Sequence, residues 1–475
     1  MAEQFAADPA GRIGRRIDAL PMSRRLWTWV FLISVGGLFE IYDMALTAPL
    51  SAALVAAHIF HPGETGLFGL ADQATFVFAT FSGLYIGVLA FSAFGDRLGR
   101  RSVFAISLIW YAIATLVMGL QNSVIPICLW RFLAGVGLGA EAVAIDCFLV
   151  ELVPSRIRGR AFAISMGIQY CGIPLAAFLA VFLVGHAPLG IDGWRWLTFM
   201  PVIGAIGFWD ARRRLPESPR WLAQKGRVEE AARVVDLLDD GSGLIVSHSG
   251  LKRKPRVVFV SRHHVVHMAW MMLVYFNLQN IAFYGFGSWL PTLIQSQGAN
   301  LKSSLFYSAG VALAAPTAPL LLSLISDRFE RKHLIIVSGL FAVVAGLSFA
   351  YADAPLGWVV FGIGLTLSNS VLSVNSHNYL SELFPTRIRA RMVGFLYSFT
   401  RLSAAVSGYI IAYVLAETGV KGVFALISTL MIVAISVIGL FGPRTSGVTF
   451  DEAASDDQIP VGTGNSETDK KLGSR

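Results

Sequence analysis

Apolar blocks of about 18 to 25 residues follow one another along the chain, each long enough to cross a hydrocarbon core of about 30 Å. In that solvent every backbone N–H and C=O has to be met within the protein, so blocks of this length are expected to form helices. They read as spans near 27–50, 74–94, 103–121, 124–149, 161–184 and 195–211, then 265–290, 303–325, 333–351, 356–380, 392–415 and 421–441. Charged residues make up only 14% of the sequence, against roughly 25% in a soluble domain. The expected fold class is therefore an all-α polytopic membrane protein with twelve transmembrane helices.

The second constraint is duplication. ELVPSRIRGR at Glu151–Arg160 returns as ELFPTRIRAR at Glu382–Arg391, and FGDRLGRRS around Asp96 returns as ISDRFERKH around Asp327. Both pairs are offset by the same 231 residues, so one six-helix unit occurs twice. The implied organisation is an N-terminal segment (1–26), a first bundle (27–211), a linker (212–264), a second bundle (265–441) and a polar tail (442–475) that reads as disordered. Within the linker, Val228–Leu238 has the pattern of a short amphipathic helix.

A net charge of +8 would point to nucleic acid in a soluble protein, but here it reports orientation. Of the 38 Lys and Arg, all but Arg131, Arg195, Lys302, Arg401 and Lys421 fall on one side of the spans, which places both termini in the cytoplasm. A bacterial inner membrane suits that bias. The N-terminus carries no small-residue cleavage site, so the first span reads as retained. Cys128, Cys147 and Cys171 sit in apolar segments with no CxxC or His-paired spacing, so neither disulfides nor zinc are expected. His263, His264 and His267 lie together at the mouth of span 7 without a metal-site pattern. No metal, cofactor or enzyme constellation stands out. The expected partners are a small-molecule substrate, protons and the bilayer, for a monomer that binds no nucleic acid.

GDRLGRR (95–101), RFLAGVGLGAE (131–141), the paired ExxPxRIRxR segments, PESPRWL (216–222) and GPRTSGVTFDEA (442–453) together resemble the major facilitator superfamily. The branch they are similar to is that of sugar porters and metabolite:proton symporters. RIDALPMSRRLW followed by FEIYD, with CGIPLA (171–176) and FTRLSA (399–404), is closer to organic-acid symporters. NLQNIAFYG (277–285) departs from the helix 7 of hexose carriers. The resemblance implies two pseudo-symmetric bundles working by alternating access, with proton-coupled symport of an organic acid. A sugar or polyol:proton symporter and a proton antiporter exporting cationic compounds are the alternatives.

A charge at the centre of a span costs about 2.5 to 3.5 kcal/mol on insertion scales, so such residues face a cavity or a partner. Glu40, Asp43 and Glu141 are the proton-coupling candidates, Asp43 first because it lies deepest in span 1. Glu40 and Asp43 share a helix face at i,i+3 spacing, where like charges hinder each other's ionisation. Arg401 is a permanent cation suited to a carboxylate through its planar fork. Its sequence distance of ten residues from Arg391 puts it roughly 15 Å deep. The polar residues expected to complete a substrate site are Gln169, Tyr170, Asn277, Gln279, Asn280, Tyr284, Asn375, His377 and Asn378. Each could equally be an interhelical hydrogen bond. Arg131 reads either as part of a proton path or as an interfacial side chain reaching for water. Asp146, five residues from Glu151, reads as a gate or structural residue. The resemblance further implies a cytoplasmic gate of inter-helix ion pairs drawn from Asp96, Arg97, Arg101, Glu151, Arg160, Glu217, Asp327, Arg328, Glu382 and Arg391.

Overall fold

The structure is a computed structural model, and it describes residues 9–20, 23–61, 71–154, 157–239, 256–260, 262–325, 330–384, 386–445 and 448–452. Twelve membrane spans are present among them. In the first half they are span 1 (Arg24–Ala45 and Thr47–Ala56), span 2 (Asp72–Leu98), span 3 (Arg100–Gly119), span 4 (Val124–Leu152), span 5 (Arg158–Tyr170 and Gly172–Leu183) and span 6 (Gly193–Arg214). The second half has span 7 (Arg262–Gly287 and Leu290–Ser296), span 8 (Leu301–Ala312 and Thr317–Ile325), span 9 (Arg331–Ala350) and span 10 (Pro355–Leu383). One helix, Thr386–Phe441, holds spans 11 and 12, which part at Gly419, where φ is +69°.

Span 1 begins at a cap, the Ser23 hydroxyl accepting the Leu26 N–H, as helix N-termini require. Spans 1, 5, 7 and 8 are each in two pieces, and every first piece stops four residues before a proline. The pairs are Ala45 and Pro49, Tyr170 and Pro174, Gly287 and Pro291, and Ala312 and Pro316. Proline has no N–H for the carbonyl four residues back and its ring crowds that carbonyl, so the helix yields there.

Glycines set the closest packing. A Cβ on Gly83 or Gly87 of span 2 would strike the Phe132 or Val136 carbonyl of span 4, and one on Gly135 or Gly139 would strike span 2 in return. Gly137 turns the other way, against Trp110 and Tyr111 of span 3. These glycines clamp span 4 between two neighbours, with small residues letting backbones meet. The halves touch through spans 2 and 11 and through spans 5 and 8.

Outside the membrane the chain is more ordered than its composition suggests. Pro9–Ala19 forms a helix whose Ile13 and Ile17, with Leu20 just beyond it, are buried beside Trp221, Val234 and Leu238 of the linker helices Pro219–Gln224 and Val228–Leu238. Ser23 and Arg25 donate to the Leu238 and Leu237 carbonyls. Val448–Glu452 of the tail, read as disordered, forms a strand paired in parallel with Arg256–Val260 at the end of the linker. Backbone hydrogen bonding supplies there what apolar composition does not.

Candidate functional site

The interface between the halves encloses a cavity of about 260 Å³. Its wall includes Glu40, Gln169, Tyr170, Gln279, Asn280, Tyr284, His377 and Arg401, so eight of the sequence-derived candidates come together there. All four broken spans bring their breaks to the same wall, through Ala45 and Pro49, Tyr170, Gly287 and Pro291, and Ala312. Helix ends with freed carbonyls are tolerated at this depth because they line a cavity.

Arg401 is 7% exposed, on span 11. Its Nη1 donates to the Tyr284 hydroxyl at 2.8 Å and its Nη2 to the Tyr397 hydroxyl at 3.2 Å, with the guanidinium over the Tyr397 ring at 5.0 Å. Both hydrogen-bond partners are neutral, and its Nε has none among the described residues. The His377 ring stands edge-on to Tyr397, with Nδ1 2.7 Å from the Ser373 carbonyl. Phe81, Phe276, Phe283 and Phe286 supply much of the apolar surface. The site is a permanent cation held by two tyrosines in a chamber lined by aromatic and polar side chains.

Asp43 is not on this wall. It faces span 4, where its Oδ1 takes Nη1 of Arg131 at 2.5 Å and its Oδ2 accepts the Thr115 hydroxyl at 2.7 Å, both charged side chains being 0% exposed. Every guanidinium nitrogen of Arg131 has a partner: besides Nη1, Nη2 donates to the Asp43 carbonyl and Thr47 Oγ1, both at 2.8 Å, Nε donates to the Thr80 hydroxyl at 3.0 Å, and the Phe76 ring lies 5.3 Å away. Arg131 is therefore a buried counter-ion, which settles the choice against an interfacial side chain. Glu40, one turn away on span 1, faces the cavity, so the two acids of span 1 serve different surroundings.

The remaining candidates are placed elsewhere. Glu141 is fully buried off the cavity wall. Asn277 and Asn375 donate to the Leu273 and Val371 carbonyls of their own helices, and with Asn378 they do not line the cavity. Asp146, read as a gate or structural residue, is placed differently from these. It lies on the wall, exposed, and within electrostatic reach of Arg401. Counting residues from Glu151 sets its depth but cannot show how far the cavity extends. Asn369, Ser373 and Tyr397 also belong to the wall and had no signal beyond being polar residues in apolar spans.

At the basic end, Arg100 meets Glu151 at 3.1 Å and Arg331 meets Glu382 at 3.5 Å, each partner offset by 231 from its counterpart. The Glu217 carboxylate accepts the Arg100, Arg101 and Ser218 N–H groups at 2.9, 3.1 and 2.9 Å, an anion on a helix N-terminus. Gly99, at φ +90°, makes room for it, since a Cβ there would collide with that carboxylate. In the second half Glu330 stands at the Gly99 position and accepts the Thr445 N–H at 2.9 Å, while the Thr445 hydroxyl donates to Glu382 at 2.6 Å. Arg100 and Arg331 are the cations of these two pairs, and Arg97, Arg101 and Arg160 are exposed. The side chains of Asp96 and Arg391, and residues Asp327 and Arg328, lie outside the described residues.

At the opposite end the halves are joined. Gln73 and Thr292 exchange hydrogen bonds at 3.1 and 3.2 Å, the Tyr409 hydroxyl reaches Thr75 at 3.5 Å, and Phe81 packs on Tyr284 with ring centroids 4.4 Å apart.

Comparison with known proteins agrees with this architecture. Residues 29–456 match the family model described as sugar (and other) transporter. The inner membrane metabolite transport protein YdjE of Escherichia coli (strain K12) is 25% identical over 462 residues, covering 93% of this chain and 98% of its own. The niacin transporter NiaP of Acinetobacter baylyi is 24% identical over 449 residues, covering 92% and 98%. A crystal structure of a D-xylose-proton symporter superposes with a TM-score of 0.69 at 20% identity, over 89% of this chain and 99% of that one. With twelve spans in two repeated halves around one central cavity, the chain belongs to the sugar (and other) transporter family of the major facilitator superfamily.

Proposed function

We propose that this protein is a proton-coupled symporter that imports a small organic acid across a bacterial inner membrane by alternating access, its basic end facing the cytoplasm. The observation that carries this reading is Arg401. Among the described residues, the hydrogen bonds of this buried guanidinium go to Tyr284 and Tyr397 and to no carboxylate, and a solute carboxylate completes it. The niacin transporter among the relatives, named for a carboxylic acid, supports the same class. Asp43 is the proton carrier. Protonating it cancels one member of the Asp43–Arg131 pair, and that change in charge biases spans 1 and 4 between two arrangements.

The first test is binding of benzoate to the purified protein. Losing one partner of a buried charged contact costs about 2 to 5 kcal/mol, so Arg401→Gln should weaken benzoate by at least about thirtyfold. Unchanged affinity would remove Arg401 from the site. Charge movement supplies the second test. A monoanion entering with one proton carries no net charge, so benzoate uptake into vesicles should stop with nigericin and survive valinomycin. The opposite pattern sinks the one-proton anion reading.

The second reading is a sugar or polyol symporter. Gln279, Asn280 and Asn369 on the wall favour it, as does the named substrate of the structural neighbour. Such a carrier tolerates Arg401→Gln, which separates the two.

A further inference from the structure

We infer that the favoured substrate is a zwitterion, carrying a permanent or protonated cationic group on the far side of its ring or chain from the carboxylate. This rests on the organic-acid reading of the Arg401 site and goes one step past it.

The ground is the distribution of charge over the cavity wall. Among the described residues, the groups on it that can carry charge near neutral pH are Glu40, Asp146, His377 and Arg401. Glu40 is on span 1 and Asp146 on span 4, both in the first half; His377 is on span 10 and Arg401 on span 11, both in the second. Glu40 and Asp146 are each within electrostatic reach of Arg401. The chamber therefore has an acidic face and a basic face, and they belong to the two bodies that have to move against each other.

A plain carboxylate satisfies only the second face. It sits on Arg401 but brings a third negative charge towards Glu40 and Asp146, in a chamber where like charges interact more strongly than in water. A cationic group on the same molecule converts that repulsion into attraction. The solute then bridges the halves, pulling the first through its cation and the second through its anion. Bridging also suits transport, because a ligand shifts a two-state protein only through contacts that differ between the states. The aromatic side chains on the wall, Phe81, Phe276 and Phe283, suit both the body of such a molecule and its cation.

Three probes that share one ring test this on the purified full-length protein: benzoate, phenyltrimethylammonium and 4-(trimethylammonio)benzoate. Their charges are fixed from pH 6 to 8. Isothermal titration should give a betaine dissociation constant at least about tenfold below that of either singly charged probe. Asp146→Asn and Glu40→Gln, each checked for a monodisperse elution profile, should bring the betaine back towards benzoate while leaving benzoate equal or tighter. A second readout is charge movement. The betaine is net neutral, so with one proton it carries one positive charge, and its uptake should fall with valinomycin as well as with nigericin.

If benzoate binds as tightly as the betaine, and both are lost in Arg401→Gln, the zwitterion inference fails and the organic-acid reading stands. If the betaine is preferred but neither acid variant alters that preference, the two-faced chamber is wrong. If only phenyltrimethylammonium binds, or none of the three binds, the inference and the reading beneath it both fall.

Discussion

The Asp43–Arg131 pair sets what a single residue can do in this protein. Both side chains are wholly buried, and breaking such a pair by removing one partner costs about 3 to 5 kcal/mol, because the survivor is left charged in a dry site. Arg131→Met should therefore lower thermal stability sharply. Asp43→Leu combined with Arg131→Met should lose less than either single change, since no orphan charge remains. A double-mutant cycle by thermal unfolding measures this, and additive losses would mean that the two residues do not act as a pair. Protonation makes the same change that Asp43→Asn imposes permanently. That variant should exchange labelled substrate across the membrane yet fail to accumulate it against a gradient; retained accumulation would move the proton to Glu40 or Asp146. The sequence reaches Asp43, because an acid deep in span 1 needs an account wherever it points. It does not reach the role of Arg131, since a long cation in an apolar span can run to the interface or inward. Only the Asp43 carboxylate, 88 residues away in the chain, decides which.

Among the elements, the proline-broken helices matter most. The apolar blocks read as continuous spans because hydropathy averages over a proline without registering the carbonyl it frees. The positions of Pro49, Pro174, Pro291 and Pro316 are plain in the sequence, yet that the spans they break meet at one cavity depends on how the halves pack. Span 6 handles the same problem differently. Pro201 leaves the Leu197 carbonyl without its helical N–H, and the hydroxyl of Tyr42, 0% exposed on span 1, donates to that carbonyl at 3.0 Å. Tyr42→Phe should thus strand a buried carbonyl and cost about 1 to 3 kcal/mol. Pro201→Ala restores the missing N–H, so the double variant should recover most of that loss in thermal unfolding. An equal loss in both backgrounds would show that Tyr42 stabilises by packing instead. This bond also ties span 6 to the residue next to Asp43, so the cycle reports on the helix that holds the proposed proton carrier.

For the molecule as a whole, the two ends use different chemistry. At the basic end Arg100 pairs with Glu151 within the first half and Arg331 with Glu382 within the second, while Glu217 of the linker accepts from Arg100 and Arg101 and Thr445 of the tail donates to Glu330 and Glu382. The offset of 231 residues made the acidic members legible as a repeated set. The exchange of Gly99 and Glu217 for Glu330 and Thr445 was not, because its partners come from the linker and tail rather than from the repeated spans. Partly exposed pairs are worth about 0.2 to 1 kcal/mol, so they can regroup across the halves at low cost when that end closes. The opposite end is held between the halves by neutral groups, Gln73 with Thr292 and Tyr409 with Thr75, around a core that includes Phe81 and Tyr284. If alternating access is the working cycle, this seam has to part on every turnover. In a background with Cys128, Cys147 and Cys171 replaced by serine, Gln73→Cys with Thr292→Cys should accept a short thiol-specific crosslinker without substrate. The crosslinked protein should stop transporting in vesicles and regain uptake when the linker is reduced. Undiminished uptake in fully crosslinked protein would mean that this end does not open, and rocking of the two halves could not be how the solute enters.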